Sequence, residues 1–204
     1  MKNSSIEIFL AELQELGYYY PDINTIYKQK NLASYEVEII LKWIPNIYIE
    51  HLGSGDQLVR SLISTEEPFN PEPLIKFFEK NIYNSSVMWG VAHVLAVSNT
   101  YDISNWIKNQ LLNEHYTFQR SGLLPGIVNK VHFNSSEERI IFLKKIFLKY
   151  LPGDYMFKLF KKYGMKSDIT FLEKEKAKAC KKISDEIEKV ITEINRKRVP
   201  DMSP

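Results

Sequence analysis

The chain has 204 residues, 44 % hydrophobic and 25 % charged, which is ordinary globular usage and enough to bury a sizeable core. The single cysteine, Cys180, excludes an internal disulfide framework and a Cys-rich zinc site. The net charge is +2, but residues 1–138 hold 10 basic and 16 acidic side chains, whereas residues 139–204 hold 17 and 9. An acidic body thus carries a basic C-terminal segment, either a surface for an anionic partner or a solvated helix face. No run of about 18 apolar residues occurs, so no membrane-spanning helix is expected. Residues 1–5 do not open a signal peptide, and the cytoplasm is the expected compartment.

Only 8 glycines, with abundant Leu, Ile, Lys and Glu, favour helices. Ile6, Phe9, Leu10, Leu13 and Leu16 form a first helical stripe, capped by Ser4 or Ser5 and stopped at Gly17. Pro21 breaks the chain, and Ile23, Ile26 and Tyr27 mark a short second helix. Val37, Ile40, Leu41 and Ile44 make the next stripe, which Pro45 is expected to end, with a further turn or two over residues 47–52. Gly53-Ser54-Gly55 reads as a connector before a helix opening at Asp56. Pro71 or Pro73 fits the first turn of the helix holding Leu74, Ile75, Phe77 and Phe78.

Residues 87–97 are apolar almost all round. Their length, with Ala92 and Ala96, favours a buried helix over a strand. A helix follows over residues 102–112, then one over 118–131 with a kink at Pro125-Gly126, then one from Ser135 or Ser136. Pro152-Gly153-Asp154 is a turn, and residues 155–163 form a short helix closed by Gly164. Residues 168–198 contain neither Gly nor Pro and predict one long helix. Its seam, Cys180, Ile183, Ile187, Val190 and Ile194, has heptad spacing, suiting a capping helix or a dimer arm. Residues 199–204 are expected to fray. The predicted organisation is a helical domain over 1–164, a basic helix over 165–198 and a tail over 199–204.

About ten helices with short connectors and no strand result. Similar apolar segments around Leu62, Leu95 and Leu124 recur at intervals of 33 and 29 residues, as in a stacked helical array. The segments Ile40-Leu41-Lys42-Trp43-Ile44-Pro45, Leu58-Val59-Arg60-Ser61-Leu62, Leu74-Ile75-Lys76-Phe77-Phe78 and 88–96 carry a resemblance to bacterial HEAT-repeat proteins over residues 33–131. Arg120 stands about where such repeats often place an arginine. The resemblance implies an α-solenoid, a right-handed superhelix of antiparallel helix pairs, that binds a macromolecule along one face.

No phosphate-binding glycine loop, dinucleotide turn or nucleophile elbow occurs. His51, His93, His115 and His132 lack metal-ligand spacing, and no cofactor is expected. Cys180 beside Lys181 and Lys182 is a buried seam residue before it is a reactive thiol. A non-catalytic scaffold for a protein partner is therefore the expected function. Trp43, Arg60, Trp89, His93 and Arg120 are the candidate contacts, each with a competing role in the core or between repeats. The alternative is nucleic-acid binding through Lys174, Lys178, Lys181 and Lys182, with architecture resembling the HEAT-like DNA glycosylases. Glu173, Glu175 and Asp185 dilute that field, and no aromatic platform follows residue 172.

Overall fold

A computed structural model describes residues 4–82, 88–115, 118–150 and 154–197. Val87, the turn at Pro152-Gly153 and the tail 199–204 lie outside the described residues. The described chain is helical and contains no strand. It forms two compact units, residues 1–132 and 133–204. The boundary expected near residue 164 therefore falls inside the second unit.

The first unit opens with α1 (Ser5–Glu15) and α2 (Ile23–Lys28). Ser4 and Glu7 form a capping box at the start of α1, and Gly17 adopts φ +90 just beyond its end. α3 (Ser34–Glu50) follows, and it runs through Pro45 instead of ending there. The proline removes one helical hydrogen bond, but Ile47 and Tyr48 are buried beyond it, and that burial holds the helix together. At the other end Glu36, almost wholly buried, accepts from the Ala33 N–H (2.8 Å) and from the Tyr20 hydroxyl. Burial and that carboxylate push the Tyr20 phenol well above its usual pKa.

α4 (Leu52–Ser61) includes the Gly53-Ser54-Gly55 triplet, so this is not a connector. A Cβ on Gly55 would lie 2.6 Å from the Tyr48 backbone; the glycine permits the tight α3–α4 crossing. After a 3-10 turn at Leu62–Ser64 come α5 (Glu72–Asn81), α6 (Met88–Val97) and α7 (Ser104–Leu112). In place of one kinked helix, residues 118–131 form a 3-10 segment (Phe118–Leu123) and the single-turn α8 (Gly126–Asn129).

Helices α1, α3 and α5 pack in sequence as one row, and α2, α4, α6 and the 3-10 segment as another. The loops entering α3, α5 and α7 lie side by side. Leu32 N–H donates to Ser64 O, Phe69 N–H to Asn99 O, and His132 N–H to Ser104 Oγ. Among the described residues, long-range side-chain hydrogen bonds recur between residues 27–33 apart, including Trp43 to Glu12, Trp89 to Ser121 and Trp106 to Glu79. α1 departs from the pattern. Glu12 meets Trp43 while Ser5 meets Glu50, so α1 runs antiparallel to α3.

The second unit holds α9 (Ser136–Tyr150), α10 (Asp154–Tyr163), a 3-10 turn (Lys166–Asp168), α11 (Ile169–Lys176) and α12 (Lys181–Arg196). The expected single helix over 168–198 is thus two, interrupted at residues 177–180. The reason is the seam. α12 packs on both α10 and α11, and a continuous helix cannot return against its own beginning. Ile187, Val190 and Ile194 are buried as predicted, but Cys180 is exposed in the break.

The rings of Phe147, Phe157 and Phe160 meet in the core, with Phe147 and Phe160 4.9 Å apart edge to face and the half-buried Phe171 against Phe147. Asp168, 1 % exposed, pairs with Lys144 at 2.6 Å and accepts from Met165 N–H at 2.8 Å. Asp168→Ala is expected to cost about 3 kcal/mol, the low end for a broken buried pair because Lys144 keeps some access to water. Urea unfolding of the variant and the wild type measures it; a change below about 1 kcal/mol would show the pair to be dispensable.

Candidate functional site

Three of the five expected contact residues come together across α4, α6 and the 3-10 segment. On α4, Asp56 and Arg60 stand one turn apart, and Arg60 Nε donates to Asp56 Oδ2 at 2.7 Å. Both side chains cross α6 at Gly90. A Cβ there would sit 2.8 Å from Asp56 Oδ1 and 3.4 Å from Arg60 Nη2. The ion pair passes over the helix only because position 90 has no side chain. Among the described residues none accepts a hydrogen bond from the terminal nitrogens of Arg60, whose side chain is 35 % exposed.

On α6, Trp89 and His93 are also one turn apart. Their rings are parallel within 5°, with centroids 5.2 Å apart. The ring of Phe118 also lies near that of Trp89, with centroids 6.5 Å apart and planes within 20°, and is 57 % exposed. Ser121 fixes this arrangement: its hydroxyl accepts from Trp89 Nε1 (3.1 Å) and donates to Phe118 O (2.6 Å). Gly122 seats the 3-10 segment on α6. A Cβ there would fall 2.5 Å from Trp89 O and 3.0 Å from His93 N.

His93 Nδ1 is shut off from solvent and has no hydrogen-bond partner among the described residues. Desolvation, and then the charge of Arg60, hold the imidazole below its usual pKa. The neutral ring stacks on Trp89, and no described acid orients it for proton transfer. The arrangement therefore offers a flat aromatic face with one exposed end beside a guanidinium with unused donors. Such a surface can take an apolar or aromatic side chain together with an oxyanion.

The other two expected contacts lie elsewhere. Arg120 is buried; its Nε donates to Gln110 Oε1 (3.1 Å) and its Nη1 to His115 O. It ties the 3-10 segment to α7 and the loop beyond, so its fork faces inward. Trp43 is half-buried on α3, donating to Glu12 Oε2 at 2.6 Å, with Lys42 bound to the same carboxylate. Those two hydrogen bonds hold Glu12 below its ordinary pKa. Asp56 and Ser121 were missed by sequence reasoning. The i,i+4 spacing of Asp56 to Arg60 was the available signal for the first; a 3-10 segment offers none for Ser121 or Phe118.

The lysines of the alternative are exposed, but they are not on one helix. Lys174 and Lys178 belong to α11 and the break after it, while Lys181 and Lys182 open α12. Lys178 binds Glu175 (3.0 Å), and nearby Lys176 and Lys189 bind Glu188 and Glu186. No group of three or more potential metal ligands exists among the described residues, and no described helix is long and apolar enough to cross a membrane. No family model, curated protein or solved structure matches the chain.

The state of His93 makes a pH test. An unfolded histidine titrates near 6.5, and the folded ring titrates lower, so between those values the unfolded chain binds more protons. Stability is therefore lost as pH falls below about 6.5 towards the folded value. His93→Phe keeps the stack and removes the titration, so its denaturation midpoint is expected to fall less between about pH 7 and pH 5. Parallel curves for the two proteins would show that His93 is not the source.

Proposed function

We propose that the first unit is a HEAT-like helical-repeat scaffold, non-catalytic, that binds another protein through the Arg60, Trp89, His93 and Phe118 surface. The two rows of helices, the aligned entry loops and the hydrogen bonds recurring at 27–33 residues support the repeat reading. A superhelix of such pairs would present consecutive elements of the second row along one face.

The observation that carries the reading is the joined stack and guanidinium. Trp and Arg are the side chains most enriched where binding energy concentrates, and here they come from adjacent helices. The stack also costs little entropy on binding, because Ser121 already holds Trp89 in place. The interleaved ion pairs of α11 and α12 weigh against the basic segment as the main contact.

The test is affinity capture with the full chain on lysate with and without nuclease, comparing the wild type with Trp89→Ala, Arg60→Glu and a Lys174/Lys178/Lys181/Lys182 to Glu variant. One protein held near stoichiometry should be lost by the first two, with affinity falling at least about tenfold, and kept by the third. Circular dichroism establishes that each variant is folded. Retention by both stack variants, or loss with nuclease and with the lysine variant alone, would overturn the assignment.

A further inference from the structure

A second polar site lies at the edge of the first unit, away from the stack. The loop before α7 and the end of α8 with the residues after it form an open pocket of about 290 Å³ lined by Asn99, Thr100, Asp102, Asn129, Lys130 and His132, among others. Local structure fixes the lysine in it. Lys130 N–H and Val131 N–H both donate to Gly126 O (2.8 Å each), closing the single turn of α8. Gly126 in turn lies against α7, where a Cβ would fall 2.8 Å from Ile107 Cδ1. The backbone at 130 is thereby held, and the half-buried side chain reaches Thr100.

The electrostatics of this pocket are incomplete. The only hydrogen bond of Lys130 Nζ among the described residues goes to a neutral group, Thr100 Oγ1, at 2.8 Å. That hydroxyl donates onward to Tyr101 O (3.0 Å). No carboxylate stands within 4.0 Å of Lys130 among the described residues. The acid of the pocket, Asp102, is committed elsewhere. Its Oδ1 accepts Ser104 N–H (2.8 Å) at the start of α7 and lies 3.9 Å from His132 Nε2. Asp102 and His132 are also open to water, 68 % and 81 % exposed, so their charges are screened. Burial holds the Lys130 ammonium below its usual pKa, and the more distant Asp102 only partly offsets this. A half-buried cation with donors to spare, beside two asparagines and a histidine, is complementary to an oxyanion.

We propose that this pocket binds a small oxyanion, a phosphate or a carboxylate, with Lys130 as its counter-charge and Thr100, Asn129 and His132 around it. Asp102 opposes the anion at long range and limits its affinity. The site is independent of the protein-binding surface and stands whether or not that reading holds.

The experiment is titration of the full chain with inorganic phosphate, acetate and chloride at matched ionic strength, followed by amide NMR shifts of residues 99–103 and 129–132. Saturable shifts with phosphate, acetate or both, and not with chloride, are expected, and the pattern says which oxyanion is preferred. Lys130→Gln should weaken binding at least tenfold, while Lys130→Arg should retain it. Asp102→Asn keeps the hydrogen-bond acceptor at the start of α7 and should tighten binding at least twofold. Equal responses to all three anions, or saturation that survives in a folded Lys130→Gln protein, would overturn the proposal.

Discussion

A helix that is apolar on every side has to be surrounded, and α6 imposes that constraint on the first unit. Met88, Val91, Ala92, Val94, Leu95 and Ala96 are buried all around its circumference, so α4, α5, α8 and the 3-10 segment must all reach it. Four bulky neighbours cannot crowd one helix unless its contacts are small. Gly90 admits the Asp56–Arg60 pair, and Gly122 brings the 3-10 segment within van der Waals range of the Trp89 and His93 backbone. Gly126 does the same for α8 against Ile107 and Ala96. Only Trp89, His93 and Val97 of α6 remain partly open. The candidate surface is therefore a consequence of burial: it is what is left of α6 once its other faces are covered.

The same packing explains what was readable in the sequence. Helical periodicity located nearly every helix, because each buries one stripe and the stripe is written in residue type. The failures have a common cause, which is that local signals were outweighed by contacts distant in sequence. Pro45 should stop a helix, yet Ile47 and Tyr48 bury beyond it. Gly55 looks like a linker residue, yet the close passage of Tyr48 requires it inside α4. The break at 177–180 contains no Gly or Pro, and it arises only because the seam of α12 belongs against α10 and α11.

The candidate site was partly legible for similar reasons. Arg60, Trp89 and His93 stood out as polar or aromatic residues in apolar helices, and such residues need a specific environment wherever they end up. Whether that environment is inward or outward was not written locally. Arg120 resembles Arg60 in sequence context, but it finds Gln110 and a backbone carbonyl in the interior. Arg60 finds Asp56 through Nε and leaves its outer nitrogens at the surface. The oxyanion pocket was not legible at all, since Thr100 and Lys130 are 30 residues apart and meet only when successive loops stack.

The three tryptophans show how the first unit separates structural from exposed chemistry. Each indole N–H is satisfied by a residue 27–32 positions away, so each acts as a pin between neighbouring elements. Trp43 and Trp106 donate to carboxylates, Glu12 and Glu79, which also bind Lys42 and Gln110 respectively. Their polar atoms are saturated, and Trp106 also rests edge to face on Phe78. Trp89 differs because its partner is a serine hydroxyl, which puts no carboxylate at the indole N–H, while His93 lies parallel to the ring and Phe118 20° from it. A neutral pin preserves an apolar π surface; a carboxylate pin would place a hydrated charge at its edge. That choice of serine at position 121, more than the presence of tryptophan, distinguishes the α6 surface from the other two and is the reason the proposed contact falls there.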